Sequence, residues 1–431
     1  MKFIINGGKK LQGEIKLAGA KNAATKMIVA SLLTEEPCVF ENCPAIGDVE
    51  ITAELCRLVG SHVERRDGNL IIETPKIINT KVLSLSRKNR IPILALGPLL
   101  ARAQEAVIPV LGGDRIGPRP VDMHLESLKT MGAEIQNDDH HYYASAKNGL
   151  NGTRMTLAYP SVGATENTIL AASLARGRTV IENAATEPEI IDLIKMLQKM
   201  GAIIELGANR TIYIDGVKKL RGVSHRVLPD RNEAVSFACL AVASGGNIFV
   251  RDAQQENLIT FLNALRKIGG EYTVEAEGIR FWRRENLRGI EIETDTHPGF
   301  MTDWQQPFAV LLTQAQGTSI IHETVYEDRF GYAEDLNLMG ADIKVFTKCL
   351  GELNCRFNGR NHNHSAIIQG PTALRATEVK VRDLRAGIAH IVAQLVAHGA
   401  SKIHGIEEID RGYERIDERL RALGADIKRL A

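Results

Sequence analysis

The stretch LRALGADIKRL (420–430) joins the end of a leucine-faced helix, a glycine and a β-prone run, and it is one of six such stretches. The others read LCRLVGSHVE (55–64), LKTMGAEI (128–135), LQKMGAIIE (197–205), LRKIGGEYTVE (265–275) and LNLMGADIKV (336–345). Their glycines, Gly60, Gly132, Gly201, Gly269, Gly340 and Gly424, are separated by 72, 69, 68, 71 and 84 residues. In each copy an apolar helix face ends at a glycine that can take the left-handed C-cap conformation, and a strand follows. A second helix–glycine–strand unit lies further upstream, as in AASLARGRTVIENA (171–184), AVASGGNIFVRDA (241–253) and LVAHGASKIHGI (395–406). Each repeat of roughly 70 residues is too small to bury a large core alone. The period is longer than the 20–50 residues or so of a solenoid, so two closed clusters of three α/β units are expected.

The last spacing is longer than the rest. The surplus falls in residues 348–364, where Asn354, Asn358-Gly359, Asn361 and Asn363 read as a polar surface insertion. His362 and His364 within it are metal-ligating types, but the composition reads as a solvated loop.

The chain has 431 residues, 44% hydrophobic and 24% charged, with 53 basic and 52 acidic side chains. A net charge of +1 gives no field toward nucleic acid or a membrane surface, so anion binding must come from locally placed cations. The apolar run of the N-terminal MKFIINGG is broken at once, unlike a secretory signal, and no segment reaches the roughly 18 apolar residues of a span. A cytoplasmic protein is expected. The six cysteines (Cys38, Cys43, Cys56, Cys239, Cys349, Cys355) form no CxxC pair and read as reduced, mostly buried thiols, with Cys349 and Cys355 able to pair.

Four groups of residues interrupt the repeat with chemistry it does not need. GAKNAA (19–24) sets Lys21 and Asn22 at a helix entrance, where backbone N–H groups and a lysine can meet an anion. LGGDRIGPRPVDMH (111–124) concentrates Asp114, Arg115, Arg119, Asp122 and His124 among three glycines and two prolines, as a mobile binding loop would. HPGFMTDWQQ (297–306) carries Asp303, which with Gln306 matches a capping box and can equally serve as a general base. Arg329, Arg385 and Arg411 sit in short polar loops, where a forked guanidinium suits a carboxylate or phosphate, or pairs with a neighbouring acid.

With ALGPLLAR (95–102), SVGAT (161–165), IENAATEPEI (181–190), RVLPDR (226–231), HPGFMTD (297–303), ETVYEDRF (323–330), DLRAG (383–387) and IDRGYERI (409–416), these loops resemble the UDP-N-acetylglucosamine 1-carboxyvinyltransferases, a group within the enolpyruvyl transferase family. The resemblance spans nearly the whole chain, with residues 348–364 as its chief interruption. It implies an α/β fold of two inside-out α/β barrels, each of three βαβαββ-like units, facing a cleft. One domain would cover 21–228 and carry the mobile loop; the other would combine 1–20 with 229–431.

The implied reaction moves the enolpyruvyl group of phosphoenolpyruvate to the 3′-hydroxyl of UDP-N-acetylglucosamine and releases phosphate, the first committed step of peptidoglycan synthesis. By the resemblance, Lys21, Arg119 and Arg385 hold phosphoenolpyruvate, with Arg411 facing the same anion and Asn22 and Arg90 lining the cleft. Arg119, Pro120, Asp122, Ser161, Val162 and Gly163 would contact the nucleotide sugar, with Asp303 and Val325 near the sugar. His124, Arg231, Thr302, Arg329 and Asp383 complete the expected substrate-binding set. Asp114, Asp303, Lys21 and Arg385 are the expected catalytic residues, with no metal, cofactor, nucleic acid or membrane involved; the oligomeric state stays open.

Two departures stand out. Asp114 occupies a position where many members have cysteine, so the proton donor would be a carboxylic acid. Tyr159 stands where some members carry lysine, which puts one uridine-side contact in doubt. The related shikimate-pathway transferase and a non-catalytic nucleotide-sugar-binding paralogue remain as alternatives. The first lacks its characteristic motifs here, and retention of Lys21, Asp303, Arg385 and Arg411 weighs against the second.

Overall fold

The computed structural model describes residues 1–87, 89–110, 112, 120–284, 286–352 and 354–431. Among them the chain forms twelve α-helices. In order these are α1 (Lys21–Ala30), α2 (Gly47–Val59), α3 (Pro92–Ala103), α4 (Asp122–Thr130), α5 (Val162–Ala172), α6 (Pro188–Met200), α7 (Arg231–Ala243), α8 (Ile259–Ile268), α9 (Gln305–Leu312), α10 (Tyr332–Leu338), α11 (Leu384–Val396) and α12 (Ile416–Ala422).

Two kinds of helix alternate. The even-numbered helices keep a polar face and run into the repeat glycines, whose φ angles are +114, +100, +104, +100, +97 and +91° in chain order. That is the left-handed stop expected of the repeat. At the end of α6 the Gly201 N–H donates to the Gln198 carbonyl at 3.0 Å and the Ala202 N–H to that of Leu197 at 2.9 Å, so otherwise orphaned helix carbonyls are satisfied. The odd-numbered helices are buried on nearly every side; α7 is buried along all 13 of its residues. A helix without a polar face must lie inside a core, whatever its sequence neighbours do.

Among the described residues the strands form six sheets, five of four strands and one of three. Where four strands are present, an antiparallel triplet carries one parallel edge strand. Gly317–His322, for example, pairs antiparallel with Ser365–Gly370, which pairs with Asp342–Phe346, while Glu291–Glu293 adds in parallel. The sheets alternate buried and exposed positions, so one face covers helices and the other meets solvent.

The chain divides into two compact units. One joins Met1–Ala18 to Pro229–Ala431 and the other joins Gly19–Gly113 to Pro120–Leu228, and each has its own apolar core. In the first, α7, α9 and α11 pack on one another; in the second, α3 packs against α1 and α5. The N-terminal strand Lys2–Gly7 joins the first unit because it lies between Gly399–His404 and Asp426–Leu430, with Phe3 and Ile5 fully buried.

Among the described residues Cys38, Cys43, Cys56 and Cys239 are buried and form no disulfide, and burial pushes Cys38 and Cys56 up to about 12. The insertion departs from the solvated loop expected of it. Phe357 and His364 are fully buried, because the adjoining strand register draws His364 inward and Phe357 packs against its ring. No helix among the described residues is long and apolar enough to cross a membrane.

Gly201 has open space around a would-be Cβ, so its requirement is conformational rather than steric. Gly201→Ala is expected to cost about 1 kcal/mol, and Gly201→Asn clearly less, in the unfolding free energy obtained from urea titration. Equal effects of the two substitutions would contradict a left-handed cap.

Candidate active site

In the first unit the chemistry centres on Asp303. It lies in a short 3-10 turn, Thr302–Trp304, pinned by the burial of both neighbours. Trp304 meets Phe300 and Phe261 edge to face at centroid distances of 5.5 and 6.0 Å, and the Arg231 guanidinium lies 5.6 Å from its ring. The turn is therefore fixed by aromatic packing, and the carboxylate projects from a rigid base.

Two buried guanidiniums hold that carboxylate. Arg329 donates from Nη2 to Oδ1, and Arg385 donates from Nε to Oδ2 at 3.0 Å. Burial acts to lower the Arg385 pKa, but Asp303, Tyr413 and Asp230 more than offset it and keep it above the ordinary arginine value. Arg329 behaves likewise, with burial opposed by Asp303, Asp383 and Glu323. Both arginines are fixed cations. Removing one partner of so buried a pair typically costs about 3–5 kcal/mol.

The capping box expected of Asp303 and Gln306 does not form. Helix α9 starts at Gln305 without a side-chain cap, because two full positive charges outcompete backbone N–H groups for the carboxylate. Turned with its oxygen toward Arg329, the Gln306 amide instead accepts from Nε at 2.6 Å.

Neighbouring elements aim the arginines. Asp383 caps α11 by accepting from the N–H groups of Arg385 and Ala386, both at 2.9 Å, which sets Arg385 in the first turn. The Arg385 Nη1 donates to the Tyr413 hydroxyl at 3.3 Å, and that hydroxyl meets Ser236 Oγ at 3.1 Å. Burial pushes Tyr413 up to about 12, so it stays a neutral phenol. The carboxylate of fully buried Glu323 accepts from the N–H groups of Val325 and Tyr326 at 2.8 and 2.9 Å and from Thr302 Oγ1 at 2.9 Å. It thereby ties the Val325 loop to the Asp303 turn. Buried Arg411 donates to Glu408 at 2.9 Å. Arg231 Nη1 lies 3.5 Å from His297 Nδ1.

The second unit has its own polar cluster. Lys21, the first residue of α1, donates to Asp48 at 2.8 Å across the start of α2. The side chain of Lys26, one turn later, donates to the Asn22 carbonyl at 2.7 Å. Ser161 caps α5 by accepting from the Ala164 N–H at 3.3 Å. Gly163 is required next to it: a Cβ there would stand 2.8 Å from the His124 ring. His124 is buried, and desolvation, helped by the Arg90 charge, brings it down to about 3, so it packs there as a neutral imidazole. Arg90 reaches the Pro120 carbonyl at 3.5 Å, and exposed Asp122 opens α4. Asp114 and Arg119 lie outside the described residues.

The sequence pattern of EPSP synthase (3-phosphoshikimate 1-carboxyvinyltransferase) matches residues 5–420. The chain belongs to the enolpyruvyl transferase family. Curated relatives named UDP-N-acetylglucosamine 1-carboxyvinyltransferase include one from Protochlamydia amoebophila, 51% identical over 98% of this chain and 93% of that protein. Another from Gluconobacter oxydans is 42% identical over 100% of this chain and 99% of its own length. Among solved structures, the enolpyruvyl transferase NikO from Streptomyces tendae matches with a TM-score of 0.87 at 22% identity, covering 99% of this chain and 98% of that one. An EPSP synthase from Acinetobacter baumannii matches at 0.74 and 20% identity, over 99% and 100%. The fold is thus the two-barrel α/β fold of the enolpyruvyl transferases, and the chain is a transferase.

Within this enolpyruvyl transferase, Asp303, Arg329, Asp383 and Arg385 form one connected network in the first unit, with Thr302 and Val325 joined to it through Glu323. In the second unit Lys21 and Asn22 share the α1 entrance, while His124 and Gly163 meet at the start of α5. Sequence reasoning missed Glu323, Tyr413 and Asp48 as supports. Glu323 and Tyr413 stand inside quoted motifs, but nothing local says that an acid or a phenol will be buried. Asp48 reads simply as a first-turn acid until the fold sets it beside Lys21.

A further missed group is Glu166, fully buried in α5 with neither carboxylate oxygen hydrogen-bonded. Lys26 stands 3.9 Å away, beyond hydrogen-bond reach. Desolvation, with Glu189 and Glu187 adding to it against Lys26, raises Glu166 to about 8. The folded chain then holds this proton across the interval from about 4.3, the unfolded value, to about 8, so stability falls as pH rises through that window. Replacing Glu166 with glutamine removes the ionisation. The gap in thermal midpoint between Glu166→Gln and the parent is expected to move in the variant's favour from about pH 5 to about pH 8. Parallel pH profiles would contradict it.

Proposed function

We propose that the protein transfers the enolpyruvyl group of phosphoenolpyruvate to the 3′-hydroxyl of UDP-N-acetylglucosamine, in the cytoplasm, as the first committed step of peptidoglycan synthesis. The observation that carries this reading is the Asp303 carboxylate held between Arg329 and Arg385 on a rigid turn, in a chain about half identical to curated enzymes of that name. A carboxylate with fixed cations beside it can take a proton where an anionic substrate is bound.

In the proposed sequence, Lys21, Arg119, Arg385 and Arg411 receive the carboxylate and phosphate of phosphoenolpyruvate, with Asn22 and Arg90 beside them. Pro120, Asp122, Ser161, Val162, Gly163 and Val325 contact the nucleotide sugar, with His124, Arg231, Thr302, Arg329 and Asp383 supporting. The incoming anion competes for Arg385, which weakens its hold on Asp303 and makes that carboxylate a better base. Asp303 accepts the 3′-hydroxyl proton as the oxygen bonds to the central carbon of phosphoenolpyruvate. The methylene carbon takes a proton from Asp114, giving a tetrahedral phosphate-bearing intermediate. Loss of a proton from the new methyl group then restores the double bond as the carbon–oxygen bond to phosphate breaks. Only interactions strengthened along this path speed it.

Phosphate release from phosphoenolpyruvate should require UDP-N-acetylglucosamine and should fail with shikimate 3-phosphate. Asp303→Asn is expected to lower kcat by about 10²–10⁴-fold. Release with shikimate 3-phosphate instead, or silence with both acceptors despite nucleotide-sugar binding, would overturn the proposal.

Asp114 lacks a thiolate's nucleophilicity, so fosfomycin, an epoxide that alkylates cysteine at this position, should neither inactivate the enzyme nor add its mass to the chain. Asp114→Cys should acquire both responses. Time-dependent inactivation of the parent with an adduct on the protein would contradict this.

A further inference from the structure

Four side chains with no part in the proposed reaction meet at one end of the sheet built from Glu291–Glu293, Gly317–His322, Asp342–Phe346 and Ser365–Gly370. Strand register brings them there. His322 ends its strand opposite Ser365, and Phe346 ends the neighbouring strand opposite the same residue. His364 therefore arrives beside His322, its carbonyl accepting from the Glu323 N–H at 2.8 Å. Cys349 follows just past Phe346, where the Leu350 N–H donates to Ser365 Oγ at 3.2 Å. Cys355 closes the group through backbone bonds to sulfur: its own N–H donates to Cys349 Sγ, and the Phe357 N–H donates to Cys355 Sγ, both at 3.4 Å.

One nitrogen or sulfur from each of His322, Cys349, Cys355 and His364 lies within 4.8 Å of all the others. The two sulfurs are 3.6 Å apart, and His364 Nε2 is 3.4 Å from Cys349 Sγ. A tetrahedral zinc with bonds of about 2.3 Å to sulfur and about 2.0 Å to nitrogen needs edges of about 3.8 and about 3.5 Å. A disulfide would need about 2.05 Å, and both cysteines are free thiols.

The histidines are oriented as ligands. His364 Nδ1 lies 2.8 Å from the His362 carbonyl, which can only accept, so Nδ1 carries the proton and Nε2 offers its lone pair toward Cys349. His322 is fully buried, and neither ring nitrogen has a hydrogen-bond partner. Its Nδ1 lies 3.2 Å from a Glu293 oxygen, set there because Glu293 is its partner in the parallel ladder. A carboxylate behind an imidazole is the usual support of a metal-bound histidine, and the other buried ring nitrogen has no hydrogen-bond partner.

We propose that His322, Cys349, Cys355 and His364 form a structural zinc site. Two cysteines and two histidines make a closed four-ligand set, which leaves no position for substrate and gives the metal a structural role. The site staples the insertion to residues 323–329. Arg356 donates to the Val325 carbonyl, His362 Nδ1 lies 3.2 Å from Asp328, and the Asn363 N–H donates to Asp328 at 3.2 Å. Zinc therefore steadies the segment that carries Glu323, Val325 and Arg329. The cysteines and histidines escape motif reading because His322 enters from a strand far from the insertion.

The full-length chain, purified without chelator and with thiols reduced, should carry about one zinc per chain by elemental analysis. Cobalt(II) given in place of zinc should produce a thiolate-to-metal charge-transfer band and the intense visible bands of a tetrahedral centre. The double variant Cys349→Ser/Cys355→Ser should lose both metal and bands, and the parent cobalt spectrum decides the matter if that variant does not fold. Three results would overturn the proposal: a parent chain that takes up neither zinc nor cobalt at micromolar concentration, a double variant that retains full metal content, or a Cys349–Cys355 disulfide in the freshly isolated chain.

Discussion

The Asp303 carboxylate between two buried guanidiniums is the interaction on which the first unit's polar interior depends. Neither Arg329 nor Arg385 can stay buried without a counter-charge, and Asp303 meets both because its turn is locked by Trp304 and the phenylalanines around it. Asp383 then fixes the first turn of α11, Tyr413 braces Arg385, and Glu323 ties the Val325 loop to the same turn. In the proposed reaction this pairing holds two cations ready for an anionic substrate and restrains the base until the substrate arrives. Stability and the proposed catalysis thus meet in one contact.

The fold was largely legible because it repeats. Six glycines at near-constant spacing reported six helix ends, and each takes the positive φ that its position demanded. What the repeat did not report was anything depending on long-range register. The capping box at Asp303 and Gln306 is locally sound, and it fails only because two arginines from distant segments arrive at the carboxylate. The insertion looked solvated because asparagine and glycine dominate it, yet Phe357 and His364 are drawn inside by strands on either side.

The candidate residues divide in the same way. Lys21, Arg385 and Arg411 were readable as anion-binding candidates, and Asp303 as a capping or basic carboxylate, since the repeat has no use for them there. Asp48 and Tyr413 were not, because Lys21 and Arg385 reach them from 27 and 28 residues away along the chain, and Glu323 was not, because its role arises from burial beside Thr302, 21 residues away. The same holds for Glu166, whose raised pKa comes from desolvation inside α5, a property no local motif carries.

The central claim is a coupled transfer, and the structure of the product tests it most directly. After incubation of the chain with phosphoenolpyruvate and UDP-N-acetylglucosamine, proton NMR and mass spectrometry should show a vinylidene group ether-linked to the 3′-oxygen of the intact nucleotide sugar, formed in step with inorganic phosphate. Free pyruvate with an unchanged nucleotide sugar, or linkage at another oxygen, would contradict the account.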